Sequence, residues 1–271
     1  MESRRPLKPA VPYVGGKRLL AATLVPLIQS FPHKVYAEPF VGAGGVFLRR
    51  TLVPKSEVIN DGSRDIATFF RILRCHFPQF MDVLKYQITS RDEFDRLCQV
   101  NADTLTDLQR AARFLYLQAL SYGGKVAGRS FGIDPRRGGR FNVMVLESTL
   151  PELAERMAGV VIECLDGQEF VRRYDTEDTL FFADPPYYGT EAYYDDGLFQ
   201  QESLWRLATT LKSIKGRFIA TNVNVPAVRE AFKGCEMRPV GVTYSVSGNG
   251  SSKAVEEVII IGGGGAHQNG V

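Results

Sequence analysis

Asp184-Pro185-Pro186-Tyr187 puts a carboxylate, two prolines and an aromatic ring directly behind the apolar run Leu180-Phe181-Phe182-Ala183. These residue types suit a flat ring that bears an amine, such as adenine. The amino nitrogen of such a ring is a poor nucleophile, because its lone pair is delocalised into the ring. Asp184 and the carbonyl of Pro185 can accept its two hydrogens and favour the positive, more tetrahedral nitrogen of a transition state. Pro185 and Pro186 fix the backbone so that the carbonyl keeps its direction, and Tyr187 can stack on the ring. A turn capped by Asp184 would explain the acid alone. It does not explain the tetrapeptide, which at average residue usage arises by chance in ~0.002 chains of this length.

Two glycine-bearing segments could supply a second ligand. In Pro12-Tyr13-Val14-Gly15-Gly16-Lys17, Gly15 and Gly16 let the backbone approach a cofactor, Lys17 adds a cation beside a carboxylate, and Tyr13 offers a stacking face. The segment from Glu38 through Phe40, Gly42 and Gly44 joins a strand to a helix, where backbone N–H groups can approach a ligand. Asp61 ends the next strand, a position from which an acid reaches ribose hydroxyls. Each segment alone also reads as a packing turn or a surface loop. Neither has the spacing of a dinucleotide or Walker loop, which disfavours NAD and ATP.

The elements that must hold these residues follow an α/β rhythm. Residues 34–40 read as a strand, 46–51 as the opening of a helix, and 57–61 as a second strand. Residues 65–75 have helical spacing with Asp65 as N-cap. Residues 80–120 are mostly helical in pattern, with 108–120 the clearest amphipathic stretch. Strands return at 159–165 and 179–183, the latter nearly continuous in apolar residues like a strand buried on both faces. Residues 168–174 read as a helical turn and 203–214 as an amphipathic helix. Strand 217–222, helix 225–232 and a hairpin from 242–247 and 255–261 complete the pattern. The expected fold is an α/β sheet over 1–72 and 159–261, interrupted by a helical, loop-rich insertion at 73–158 and followed by a glycine-rich, disordered tail at 262–271.

The chain has 271 residues, and its formal net charge is only +3. Any nucleic-acid footprint must therefore be a local patch. One exists at 121–141, where Lys125, Arg129, Arg136, Arg137 and Arg140 face Asp134 alone, interleaved with Tyr122, Phe131 and Phe141. A charge run is often just a solvated face, but arginines, glycines and aromatics together suit phosphate neutralisation with base contact or intercalation. Residues 190–199 read as a flap over the bound base. Four scattered cysteines and three lone histidines disfavour a zinc site or a disulfide framework, and no run is long enough to span a membrane. These features point to a reduced, cytoplasmic protein with no metal and no membrane partner.

The order of Pro12–Lys17, Glu38–Gly45, Asp61 and Asp184–Tyr187 resembles the Dam-like DNA adenine-N6 methyltransferases, in which a recognition region lies between cofactor and catalytic motifs. The likeness extends to Gly139-Arg140-Phe141-Asn142, Arg217–Asn222 and the closing segment ending at Ile261. It implies a Rossmann-like methyltransferase sheet carrying a helical target-recognition insertion. It also implies S-adenosylmethionine held by Tyr13, Gly15, Lys17, Glu38, Phe40, Gly42, Gly44, Asp61 and Asp166. Asp184 would meet both the cofactor and the target amine. Double-stranded DNA would be the partner, with Asn142 joining the basic residues, and the enzyme would be a monomer in a bacterial or phage-infected cell. The chain departs from the family at Pro12-Tyr13, where many members have Lys-Trp. It departs again after Phe141-Asn142, where many have a proline–glycine element. Competing readings are a cytosine-N4 or RNA adenine methyltransferase, and a catalytically inert DNA-binding protein of the same fold. A nicotinamide oxidoreductase is more distant. Whether a restriction nuclease accompanies the enzyme stays open.

Overall fold

The computed structural model describes residues 1–132, 138–189, 201–245 and 252–264. Arg136, Arg137, the expected flap at 190–199 and residues 265–271 of the expected tail lie outside them. The chain begins with β1 (Glu2–Ser3), α1 (Ala21–Ser30), β2 (Val35–Glu38), β3 (Leu52–Val53), β4 (Ser56–Asn60) and α2 (Arg64–Cys75). Four helices follow: α3 (Phe77–Leu84), α4 (Arg91–Gln99), α5 (Asp107–Leu120) and α6 (Val143–Arg156). The remainder is β5 (Val161–Glu163), α7 (Gly167–Tyr174), β6 (Thr179–Ala183), α8 (Gln201–Lys212), β7 (Arg217–Val223), α9 (Pro226–Ala231), β8 (Glu236–Ser245) and β9 (Ser252–Gly263).

Seven strands make one sheet in the order β5-β4-β2-β6-β7-β9-β8, while β1 and β3 pair separately. The first five of that order are parallel; β9 runs antiparallel to β7, and β8 pairs antiparallel with β9 at the edge, which returns it to the direction of β7. Successive strands run outward from β2 through β4 to β5, then return to β6 on the other side. Between β2 and β6 the direction of winding reverses, which is where open α/β sheets form a ligand crevice.

Both faces are covered, so β6 is buried at every residue, as its unbroken apolar run requires. One face carries Phe170, Leu204, Leu207, Leu211 and Phe232 from α7, α8 and the end of α9. On the other face α2 packs Ile66, Phe69 and Leu73 into a core shared with Phe80, Phe114 and Leu150 from α3, α5 and α6. The helices within 73–158 therefore complete the layer that α2 begins. Thr106 and Gln109 form a capping box that fixes the start of α5.

Two local expectations are corrected. Residues 46–51 do not open a helix but make one 3-10 turn, Phe47–Arg49. Val46, Phe47 and Leu48 are all buried, the polar residues Arg49, Arg50 and Thr51 follow in one block and not at helical spacing, and β3 begins at Leu52 to pair with β1. Asp65 is not the N-cap of α2; Ser63 holds that position. The Asp65 carboxylate instead sits in the first turn and pairs with Arg110 of α5 at 2.7 Å. A distant guanidinium, which no local pattern reveals, takes the acid away from the cap.

Candidate active site

Because β2 and β6 pair in register, Ala37 opposite Phe181, Glu38 and the Asp184 turn emerge at the same edge of the sheet. Ala183 lies opposite Ala220 of β7, and the next residue of β7, Thr221, donates from its hydroxyl to Asp184 Oδ1 at 2.6 Å. The other carboxylate oxygen, Oδ2, takes an ion pair from Lys17 Nζ at 2.7 Å. Lys17 is buried and also donates to the carbonyl of Gly15 at 2.7 Å. Its ammonium lies 4.4 Å from the centroid of the Tyr187 ring. Burial pushes the Asp184 carboxyl up, while the Lys17 ammonium and the Thr221 hydroxyl oppose that rise.

The glycine turn is built around Asp61. Its Oδ2 accepts the N–H of Gly42 and its Oδ1 accepts the N–H of Ser63, both at 2.9 Å. Gly42 has φ +52°, and a Cβ there would press on the Tyr13 ring at 3.1 Å. Glycine is thus required by conformation and by contact. Asn60 joins three turns: its Nδ2 donates to the carbonyls of Pro39 and Leu165, and its Oδ1 accepts the N–H of Leu165. Glu38 is buried and receives the Tyr36 hydroxyl at 2.5 Å; burial pushes its carboxyl up to about 8.

These segments surround a cavity of about 1030 Å³. Every residue expected at the cofactor lines it except Gly44, which packs against Leu48 and Phe70. Asp166 lines it while also capping α7 through the N–H groups of Gln168 and Glu169. Pro186 lines it too, and Pro185 and Tyr187 do not. The Tyr187 hydroxyl instead donates to Glu257 of β9, and the N–H of Tyr188 donates to Asn222 Oδ1 at 3.1 Å.

The insertion reaches the same place. The Gln118 amide donates to the carbonyls of Pro12 and Gly124, at 2.9 and 2.6 Å, and Val126 contributes to the cavity wall. Of the basic residues, Lys125 and Arg129 are half-buried and Arg140 is exposed. The Asn142 side chain caps α6 by accepting the N–H of Met144. The aromatics divide. Tyr122 is exposed, but Phe131 packs edge-on against Phe94 and Phe141 packs on Tyr116. Phe131 and Phe141 therefore serve the helical core, which corrects their expected place at the bases.

Sequence reasoning missed Asn60, Gln118, Thr221, Asn222 and Glu257 as residues that build the site. Four of them carried the same faint signal, a polar side chain inside an apolar run. A buried polar group there needs a partner, but the sequence does not say which.

Residues 13–246 match the D12 class N6 adenine-specific DNA methyltransferase family. The chain belongs to that family. A DNA adenine methylase of Haemophilus influenzae is 26% identical to this methyltransferase over 275 residues, covering 94% of each chain. The Type II methyltransferase M1.LlaDCHI of Lactococcus lactis subsp. cremoris is 26% identical over 276 residues, covering 94% of this chain and 95% of the relative. The SAM-dependent methyltransferase of Agrobacterium tumefaciens superposes with a TM-score of 0.42 at 10% identity, over 92% of this chain and 62% of that one. The activity is methylation of adenine N6 in DNA. Among the described residues of the methyltransferase, no helix is long and apolar enough to cross a membrane. No group of three or more His, Cys, Asp or Glu among them could hold a metal ion.

Proposed function

We propose that this methyltransferase draws one adenine out of duplex DNA into the cavity and methylates it there, acting as a monomer without a metal. The observation that carries the reading is the junction of Asp184 with the glycine turn and Lys17 around one cavity of about 1030 Å³. That volume stands at the upper end of ordinary ligand pockets, so it has room for a nucleoside cofactor and a base together. A stacked adenine could not reach it, because a base held between its neighbours cannot enter an enclosed pocket without leaving the stack.

The residues present fit S-adenosylmethionine. Asp61 and Asp166 offer carboxylate oxygens where a nucleoside would lie, Phe40 and Tyr13 offer apolar faces, and Lys17 offers a cation for a carboxylate. Bound there, S-adenosylmethionine would supply an electrophilic methyl group on a positive sulfur, with the electron pair of the carbon–sulfur bond left on sulfur when N6 takes the methyl.

The protein's part is positioning and charge. Lys17 now holds Asp184 Oδ2 and covers a face of Tyr187. Access of the amine to Asp184 therefore requires that pair to open, with Lys17 turning to hold the cofactor's carboxylate. Asp184, still fixed through Oδ1 by Thr221, then accepts one amine hydrogen, and the Pro185 carbonyl accepts the other. As N6 becomes positive both contacts strengthen, and N6 afterwards gives its surplus proton to water. Tyr187 stacks on the base, and Lys125, Arg129, Arg140 and the arginines at 136 and 137 hold phosphates.

The test is tritium transfer from labelled S-adenosylmethionine to duplex DNA, single-stranded DNA and RNA, followed by nucleoside analysis. Label in N6-methyladenine from duplex DNA, undiminished by a chelator, is expected. Label in N4-methylcytosine, or transfer to RNA alone, would overturn the reading. A 2-aminopurine at the target position should brighten on binding if the base leaves the stack.

A further inference from the structure

We infer that Glu257 is a positioning residue for methyl transfer: it fixes the ring of Tyr187 from a hairpin that none of the cofactor or catalytic segments includes. The inference rests on Tyr187 being the ring that stacks on the base.

Glu257 lies within β9, paired with Val223 of β7 on one side and Val240 of β8 on the other. It is fully buried, and the residues that follow it are Val258, Ile259, Ile260 and Ile261. A carboxylate inside an apolar strand is costly unless it is paired. Its partner is the Tyr187 hydroxyl, which donates to Oε2. Glu257 does not line the cavity; its hydrogen bond reaches the substrate through Tyr187, and its charge also pushes the Asp184 carboxyl up.

The neighbouring register pair explains why one hydrogen bond matters. Asn222 lies opposite Val258, one step along from Glu257. Its Oδ1 accepts the N–H of Tyr188 at 3.1 Å and the N–H of Val223 at 2.9 Å. Thr221, one residue earlier, holds Asp184. The catalytic turn is thus gripped at three points from one place in the sheet: Asp184 by Thr221, the backbone at Tyr188 by Asn222, and the Tyr187 ring by Glu257. A tyrosine ring turns about two side-chain torsions. With the backbone held by Asn222 and the hydroxyl by Glu257, both ends of the ring are fixed and its plane is set before a base arrives.

The experiment compares Glu257→Met, Glu257→Gln and Tyr187→Phe, singly and combined, by single-turnover methyl transfer, cofactor calorimetry and thermal melting. Glu257→Met should slow transfer by about tenfold to a hundredfold, the scale of a small misplacement of reacting groups. S-adenosylmethionine affinity should stay within about twofold, because the cavity wall is untouched. Glu257→Gln keeps an acceptor for the hydroxyl and should recover most of the rate. In the Tyr187→Phe background Glu257→Met should cause a clearly smaller further loss, because the bond to the hydroxyl is already gone. The same loss in both backgrounds would overturn the inference. If Glu257→Met does not fold, Tyr187→Phe carries the test: a slowed rate supports the inference and a full rate overturns it. Full activity in Tyr187→Ala would instead show that the stacking role of Tyr187 is wrong, which separates that failure from this one.

Discussion

Two buried ion clusters in this molecule are made of the same chemistry and do different work. In the first, Glu57 of β4 pairs with Arg50 at 2.6 Å and with Arg156, the last residue of α6, at 2.6 and 2.8 Å. Both guanidiniums lie over aromatic faces, Arg50 on Tyr36 and Arg156 on Phe47. None of the three charged residues lines the cavity. In the second, Lys17 and Asp184 pair at 2.7 Å, and both line the cavity. Taking charge out of water is costly at either place. Forked, multiply bonded contacts to buried guanidiniums make the first a joint between the sheet and α6. A single contact that opens onto space for a ligand makes the second a charge held ready for exchange.

That contrast is broken most severely at Asp184. Asp184→Asn keeps the shape but removes the charge that answers a positive nitrogen, and transfer should fall by at least about 10³-fold while the fold survives. Retained activity in the tritium assay would place the chemistry elsewhere. Next comes the joint. Glu57→Gln leaves two buried guanidiniums without a counter-charge and should cost about 3–5 kcal/mol in denaturant unfolding. Cofactor affinity of the folded protein should not change. A loss of affinity without a loss of stability would erase the distinction between the two clusters.

The smallest effect sharpens the comparison on the cofactor side. The Glu38 carboxyl titrates at about 8 in the folded protein, against 4.5 as its ordinary value. The folded state therefore holds this proton more tightly than the unfolded chain does. The stability linked to it is complete below the ordinary value and is lost as pH rises through about 8. Thermal midpoints should decline across that window, and Glu38→Gln should flatten the decline. Asp184 is shifted in the same direction, so part of the slope should remain. An identical slope in Glu38→Gln would show that Glu38 is ionised in the folded protein.

Legibility followed the range of the interaction. β6 was readable because four consecutive buried apolar residues, Leu180–Ala183, leave little else for the chain to do, and α5 because its pattern runs over several turns. The turn at Phe47–Arg49 misled for the opposite reason: three apolar residues followed by three polar ones are too short a stretch for periodicity to carry information. Asp65 looked like a cap because its partner, Arg110, is 45 residues away. Phe131 and Phe141 looked like base contacts because arginines surround them in sequence, whereas Phe94 and Tyr116 surround them in space.

The sequence by itself determined the chemistry: an acid, a fixed carbonyl and a ring at residues 184–187, with glycines and a lysine for a second ligand. Side-chain type and local spacing suffice for that, because reactivity and backbone freedom belong to individual residues. Only the tertiary structure decided that Lys17 closes on Asp184, that Thr221, Asn222 and Glu257 grip the catalytic turn, and that Arg156 anchors the insertion to β4. Those contacts depend on strand order and register, and a one-residue slip would turn Thr221, Asn222 or Glu257 to the other face of the sheet.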